Sequence, residues 1–143
     1  MQKHQNDIRV ATIEDDDEYR DHLTAVINGE AGYCCVGSYR NAEVALTQLS
    51  CVQPDVLLLD LELPGRNGLE VISELVARWP KLAIIVLTVH DEAAKIFTAL
   101  EDGAIGYLGT PVSSVRLLGA HTEAKAGGSP TSSSLLLAGV RKR

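Results

Sequence analysis

The feature that most constrains the fold is an unbroken apolar run at residues 56–59, Val-Leu-Leu-Leu, which ends at Asp60. Pro54 precedes the run and a Pro-Gly turn begins at Pro64. A short run that is apolar at every position is typical of a parallel strand buried on both faces. Ligands of open parallel sheets bind beyond the carboxyl ends of the strands. Asp60 is therefore predicted to lie at a binding edge, although an Asp at a turn commonly serves only the turn.

Short apolar runs alternate with amphipathic segments along most of the chain. This alternation predicts an α/β domain with a parallel sheet covered by helices on both faces. The predicted strands cover residues 8–13, 33–39, 56–59, 82–87 and 105–108. The predicted helices cover residues 16–28, a segment capped by Asn41, and residues 68–78, 91–102 and 112–126. In the helix after Asn41, we expect Val44, Ala45 and Leu49 to face the core.

Length and charge limit the possible functions. A chain of 143 residues suits one compact domain. Its net charge of −6 argues against a nucleic-acid-binding surface on the folded part, since phosphate binding needs a basic face. The basic residues 141–143 at the end of the chain are interpreted as a solvated tail.

The cysteines and the apolar segments indicate a cytoplasmic protein. Cys34, Cys35 and Cys51 have no spacing suited to a metal site or a disulfide framework, so we expect buried thiols in a reducing compartment. No apolar stretch approaches the roughly 20 residues that span a bilayer, and residues 1–6 lack the apolar core of a signal peptide. No association with a membrane is expected.

Residues 127–134 have the composition of a flexible linker, Gly-Gly-Ser-Pro-Thr-Ser-Ser-Ser. The apolar residues 135–138 that follow are too few to form a domain. We therefore predict a folded domain at residues 7–126 and a linker or tail at residues 127–143. The sequence is expected to stop short of an output domain.

Acidic residues follow the first predicted strand, at Glu14 and Asp15. Such a run is usually a solvated helix start, where the helix dipole favours negative charge. In a parallel sheet, however, the first and third strands are expected to be neighbours, which would bring Glu14, Asp15 and Asp60 together. Crowded carboxylates raise one another's pKa unless a hard cation compensates them. Mg²⁺ is the natural candidate, because it takes oxygen ligands and is often bound by one or two carboxylates plus a phosphate.

Thr88 follows the fourth apolar run and would place a hydroxyl at the same edge. A Thr at a strand end is commonly structural. Next to a metal-loaded acidic pocket, the hydroxyl could donate to a phosphoryl oxygen. Together with a nucleophilic carboxylate, this arrangement indicates phosphoryl transfer to an aspartate.

With these residues the chain resembles the receiver domain of two-component response regulators over about residues 7–126. The combination is specific, although each motif alone is weak. The matching positions are Glu14, Asp15, Asp60, the turn at residues 63–65, Gly68, Thr88 and Tyr107. The resemblance implies a flavodoxin-like (βα)5 fold, a doubly wound five-stranded parallel sheet with strand order 2-1-3-4-5.

The resemblance also implies the role of each acid. Asp60 is implied to accept a phosphoryl group from a histidine of a sensor kinase and to lose it again slowly. Asp15 and Asp60 are implied to bind Mg²⁺ directly, together with the backbone carbonyl of Glu62. Glu14 is implied to act through water. The chain is thus expected to be a signalling domain and not an enzyme.

A switch is implied at two further positions. Thr88 would move toward the phosphoryl group and Tyr107 would change rotamer, because added charge and acceptor oxygens bias a two-state segment. Tyr107 could equally be an edge-strand aromatic that covers the last helix. The surface that changes, formed by the fourth helix, the fifth strand and the fifth helix, is where a homodimer is implied.

One position departs from the family pattern. The Lys that precedes the Pro after the fifth strand is replaced by Thr110, before Pro111. Such a Lys binds the acceptor carboxylate or its phosphoryl group, and a Thr hydroxyl cannot replace its charge. Arg66, in the loop after Asp60, could supply a cation instead, although an Arg facing solvent is the simpler interpretation.

Three functions remain open. The first is a phosphorylatable receiver that controls a LuxR-type helix-turn-helix output, so that DNA binding would lie outside this sequence. The second, suggested by Thr110, is a receiver-shaped interaction module that does not use phosphorylation. The third is an aspartate-nucleophile phosphatase, since Asp60 and Glu62 are two residues apart.

Overall fold

The computed structural model describes residues 7–63, 68–88 and 93–109. Strands and helices alternate through these ranges, as predicted. The strands are β1 (Ile8–Ile13), β2 (Tyr33–Tyr39), β3 (Val56–Asp60), β4 (Ala83–Thr88) and β5 (Gly106–Gly109). The helices are α1 (Asp17–Asn28), α2 (Ala42–Val52), α3 (Gly68–Arg78) and α4 (Ala93–Glu101). None of these helices has the length and apolar character that crossing a membrane requires. The predicted fifth helix and the linker lie outside the described residues.

The five strands form one sheet in the order β2-β1-β3-β4-β5, and every pairing is parallel. This confirms the predicted flavodoxin-like fold. α2 contacts α3, and α3 contacts α4, so these three helices lie side by side. Because crossovers between parallel strands are right-handed, reversing the direction of winding after β2 places α1 on the opposite face.

β3 lies at the centre of the sheet, between β1 and β4. All four residues of its apolar run, at positions 56–59, are completely buried. The inner residues of β4, at positions 84–86, are also completely buried. The continuous apolar pattern is therefore explained by helices that cover both faces of these strands.

Two polar side chains cap the N-termini of the first two helices. The Asp16 carboxylate accepts hydrogen bonds from the backbone N–H of Glu18 (3.0 Å) and of Tyr19 (3.2 Å). The Asn41 side chain accepts from the backbone N–H of Val44 (2.8 Å), which confirms the predicted cap. These bonds satisfy backbone donors that have no partner within the helix.

The expectation that Val44 faces the core is wrong. Its side chain is 41% exposed, whereas Ala42, Ala45 and Leu49 of the same helix are buried. Val44 is two residues after Ala42, about 200° around the helix, so it cannot share the inward face set by residues three and four apart.

The expectation of buried cysteines is also wrong. Cys34 and Cys35 are half-buried, and Cys51 is exposed. Cys34 and Cys35 lie on β2, which has only one neighbour in the sheet and is therefore less covered than the central strands. Cys51 lies near the end of α2, away from the residues that this helix buries.

Candidate functional site

Three carboxylates converge at the carboxyl edge of the sheet. β1 and β3 are paired so that Ile13 lies beside Leu59, and the acids that follow each strand therefore reach the same edge. One carboxylate oxygen from each of Glu14, Asp15 and Asp60 lies within 4.8 Å of the others. We call these three residues the acidic pocket. The convergence predicted from the sequence is confirmed as geometry.

Two acids of the pocket are deeply buried, and this changes their chemistry. Glu14 is 6% exposed and Asp60 is 9% exposed. Burial, reinforced by the nearby charge of Asp60, raises the pKa of Glu14 to about 8. Burial, with a further contribution from Asp15, raises the pKa of Asp60 to about 6. Without a cation, Glu14 therefore keeps a proton at pH 7 that a separated carboxyl group would have lost.

Backbone donors position both buried acids. The N–H of Asp16 donates to Oε2 of Glu14 at 3.0 Å, and the N–H of Glu62 donates to Oδ1 of Asp60 at 2.9 Å. Each bond lowers the pKa of the acid that accepts it, but less than burial raises it. The two carboxyl groups are thus held in fixed orientations, but these bonds do not offset the cost of placing negative charge there.

The donor set of the acidic pocket fits a hard divalent cation. Between residues 7 and 63, 68 and 88, and 93 and 109, no Lys or Arg side chain forms an ion pair with these acids. The nearby Arg20 instead donates to the backbone carbonyl of Glu14 (2.7 Å) and pairs with Asp17 (2.5 Å). Carboxylate oxygens are the ligands that Mg²⁺ prefers, and its charge would offset the repulsion.

The backbone and the side chain of Glu62, the fourth predicted metal-binding residue, contact different parts of the protein. Its backbone N–H contacts Asp60, whereas its side chain is 42% exposed and its Oε2 lies 2.8 Å from Nζ of Lys95. The structure therefore places the backbone of Glu62 beside the acidic pocket. Its carboxylate is directed to α4 and not into the pocket.

Gly68 allows α3 to begin directly beside the acidic pocket. Its N–H donates to the carbonyl of Leu61 at 3.3 Å. A Cβ atom at position 68 would lie 2.8 Å from the backbone oxygen of Asp60 and 2.9 Å from Cα of Leu61. Because both are backbone atoms, any side chain at this position would push α3 away from the end of β3.

The structure describes the other predicted site residues only in part. Thr88 is the last residue of β4, one position beyond the pairing of Asp60 with Leu87, so its backbone reaches the same edge. Its side chain and the whole of Thr110 lie outside the described residues. Tyr107 lies in β5 and is 6% exposed, so it is part of the core. Its role as a switch stays a prediction.

The family model for the response regulator receiver domain matches residues 10–122. The chain belongs to this family. The match includes every residue of the acidic pocket, Gly68, Thr88 and Tyr107. Receiver domains are signalling domains, and this chain is the receiver domain of a two-component response regulator.

Curated relatives of this receiver are longer proteins with different names. It is 30% identical over 107 residues to the transcriptional regulatory protein DegU of Brevibacillus brevis, covering 75% of this chain and 45% of the relative. It is 36% identical over 108 residues to the positive alginate biosynthesis regulatory protein of Pseudomonas aeruginosa, covering 75% and 43%. A protein-glutamate methylesterase/protein-glutamine glutaminase of Anaeromyxobacter dehalogenans is 32% identical, covering 73% and 29%. The receiver thus spans less than half of each relative.

Solved structures share its fold. A two-component response regulator of the LuxR family from Aurantimonas sp. has a TM-score of 0.81 and 26% identity, covering 86% of this chain and 88% of that chain. The isolated receiver domain of RcsB from Salmonella enterica, solved with the phosphomimetic BeF₃⁻, also has a TM-score of 0.81, covering 91% and 96%. Its identity is 22%, so this second likeness supports the fold alone.

Sequence reasoning missed two basic residues: Arg20, which contacts the backbone of Glu14, and Lys95, which contacts the side chain of Glu62. Arg20 could have been found, because it lies three residues after Asp17 on a predicted helix and such residues are neighbours. Lys95 could not, because it contacts a residue 33 positions away. Only the packing of α4 beside the segment after β3 brings Lys95 to Glu62.

Proposed function

We propose that this receiver takes a phosphoryl group onto Asp60 from a phosphohistidine of a sensor kinase. One observation carries the proposal: a buried carboxylate at the end of the central strand has two further carboxylates within 4.8 Å. Such a cluster costs stability, because like charges repel and lose hydration on burial. A phosphoacceptor site that works with a divalent cation explains why the cost is kept.

In the proposed reaction, a carboxylate oxygen of Asp60 attacks the phosphorus atom, and the bond from phosphorus to the histidine nitrogen breaks. The electron pair of that bond stays on the imidazole, and an acyl phosphate forms on Asp60. The N–H of Glu62 keeps Oδ1 of Asp60 oriented during this step, since the two atoms are already 2.9 Å apart. Thr88 is proposed to donate its hydroxyl to a phosphoryl oxygen.

Mg²⁺ is the proposed cofactor. When bound, it supplies positive charge that offsets the phosphoryl oxygens and the carboxylates. Asp15 and Asp60 would hold it directly with the backbone carbonyl of Glu62, and Glu14 would act through water. Asp15 is exposed, whereas Glu14 and Asp60 are buried, so we propose that the donor approaches from the side of Asp15.

Acetyl phosphate can test the acceptor without the kinase. With Mg²⁺, we expect the intact protein to gain the mass of one phosphoryl group and release acetate. Asp60→Asn should abolish the gain, whereas Asp21→Asn, at an exposed position on α1, should leave it unchanged. Absence of labelling in the wild-type protein, or labelling that survives Asp60→Asn, would contradict the proposal.

Thr110 supports an alternative, a receiver-shaped module that binds its partner without phosphorylation. The loss of a Lys charge removes a charge-assisted hydrogen bond to the acceptor or its phosphoryl group. Labelling of the wild-type protein at Asp60 separates the two possibilities, and Thr110→Lys tests the influence of this position: we expect it to change the rate or lifetime of labelling on Asp60. Identical behaviour of the two proteins would show that this position has no influence on the reaction.

The wider role rests on the relatives. Two of them are named as regulators of transcription or of alginate biosynthesis, which supports control of a DNA-binding output beyond this sequence. The likeness to a LuxR-family response regulator supports a helix-turn-helix output, joined through the predicted linker at residues 127–143. We propose no catalytic turnover for the receiver domain at residues 7–126, and its cytoplasmic location stays a prediction.

A homodimer is proposed for the surface that includes α4 and β5. Phe97 is 64% exposed on α4, and a large apolar side chain in contact with solvent favours a partner at that surface. A structural relative with 24% identity, the beryllofluoride-activated NtrC4 receiver domain, is described as a dimer. Sedimentation of the receiver before and after labelling of Asp60 tests this proposal.

A further inference from the structure

The ion pair between Glu62 and Lys95 connects two segments that the sequence separates widely. Oε2 of Glu62 lies 2.8 Å from Nζ of Lys95, and both side chains are about two-fifths exposed. Two other ion pairs of the structure, Arg20–Asp17 and Arg78–Glu74, each lie within one helix. The pair of Glu62 with Lys95 instead joins the segment after β3 to the first turn of α4.

A continuous path runs from the acceptor carboxylate to α4. Oδ1 of Asp60 accepts the backbone N–H of Glu62, and the side chain of the same residue contacts Lys95. Lys95 is the third residue of α4. One residue therefore contacts the phosphoacceptor with its backbone and α4 with its side chain.

The charge of Glu62 makes this contact consequential. A carboxylate two residues after Asp60 would repel an anionic phosphodonor that approaches the acidic pocket. Contact with Lys95 directs that carboxylate toward α4 and offsets its charge. At the effective dielectric constant of a protein surface, a unit charge a few ångströms from the donor changes the energy of its approach, and hence the rate of labelling, measurably.

We propose that Lys95 is a positioning residue, which holds the Glu62 carboxylate away from the approaching donor and anchors α4 to the phosphoacceptor segment. This inference rests on the proposed function for its effect on labelling. The anchoring of α4 does not depend on phosphorus chemistry. The two consequences can therefore be measured separately.

The first test compares initial rates of labelling by acetyl phosphate at low ionic strength. Lys95→Ala should lower the rate about two- to fivefold, the effect expected of an exposed ion pair. Lys95→Arg should restore it, since a guanidinium also pairs with a carboxylate. Lys81→Ala removes the same charge from an exposed position at the other end of the sheet, and should leave the rate unchanged.

Two features separate positioning from a merely structural effect. In a Glu62→Gln background, Lys95→Ala should have no further effect on labelling, because the charge that Lys95 offsets is gone. The effect should also shrink at high salt, which screens exposed charges. A Lys95→Ala effect of equal size in the wild-type and Glu62→Gln backgrounds, or one that ignores salt, would overturn the proposal.

The second test uses hydrogen exchange in the unlabelled protein at the backbone N–H groups of residues 97–99, which bond the carbonyls of the first turn of α4. Lys95→Ala and Glu62→Gln should each speed exchange there by the same factor, and the double variant should not exceed either. Unchanged exchange in both single variants would overturn the anchoring. If the wild-type protein takes no label, the proposed function fails, while the exchange result still decides whether the pair anchors α4.

Discussion

Charged side chains have opposite surroundings at the amino and carboxyl ends of the strands. At the amino ends of the strands, the Arg9 side chain donates to the backbone carbonyls of Val52 and Gln53, where α2 finishes. The carboxylate of Asp55 accepts the backbone N–H of Arg9 at 2.9 Å. At the carboxyl ends, the acidic pocket collects like charges without a basic side chain from the described residues to pair with them.

This difference indicates that the charges at the amino ends stabilise the fold, whereas those at the carboxyl ends serve function. Charges at the amino ends satisfy backbone groups that would otherwise lack partners, so they contribute to the free energy of unfolding. The buried carboxylates of Glu14 and Asp60 have raised pKa values, which shows that the fold disfavours their charged forms. A protein keeps such a cost where a ligand or a reaction requires it.

The largest expected effect is at the stabilising end. Arg9→Ala removes hydrogen bonds from a charged donor to the last carbonyls of α2, and should lower the free energy of unfolding by about 2–3 kcal/mol. Gln53, whose φ of 49° already costs energy, would lose one of its partners. Urea denaturation measures the change, with Lys81→Ala as the control for an exposed cation. Equal stability of the two variants would remove the distinction between the two ends.

At the carboxyl ends of the strands, a substitution is expected to raise the free energy of unfolding instead of lowering it. Asp60→Asn keeps the oxygen that accepts the Glu62 N–H but removes a buried charge, and should raise the free energy of unfolding by about 1–2 kcal/mol at pH 7.5 without Mg²⁺. Urea denaturation is again the measurement. Asp21→Asn removes an exposed charge from α1 and should change stability by much less. A loss of stability in Asp60→Asn would mean that the acidic pocket is not strained.

The sequence predicted the fold and the acidic pocket well because local patterns located the strands and the resemblance to receiver domains implied their order. The bounds predicted for β1, β2 and α3 are those of the structure. The apolar run before Asp60 identified the central strand, since only a strand covered on both faces is apolar throughout. Once the strand order is set, the convergence of Glu14, Asp15 and Asp60 follows from the pairing of β1 with β3.

Most errors arose at features that tertiary contacts determine. β4 and β5 each begin one residue later than predicted, at Ala83 and Gly106, because pairing with the neighbouring strand sets their ends. The inward placement of Val44 failed for a different reason, a wrong assignment of the helix face. The contact of Lys95 with Glu62 could not be predicted, since no local pattern relates residues 33 apart.

The smallest expected effect couples pH to metal binding. The pKa of Asp60 rises from 3.8 to about 6, and that of Glu14 from 4.5 to about 8. For acids with raised pKa values, the folded state holds protons more tightly than the unfolded state. Their contribution to stability is thus fully present below about pH 4, and is lost as the pH rises through 6 and then 8.

Mg²⁺ should reverse this loss only where the acids are ionised. At ten times its dissociation constant, the ion should add about 1.4 kcal/mol to the free energy of unfolding at pH 8, and clearly less at pH 5, where protons compete for the same oxygens. Thermal denaturation with and without Mg²⁺ measures the difference, with Asp60→Asn as the variant that should lose most of it. If Mg²⁺ stabilised the wild-type protein equally at both pH values, its site would lie elsewhere, because ligands that must lose protons cannot bind a cation independently of pH.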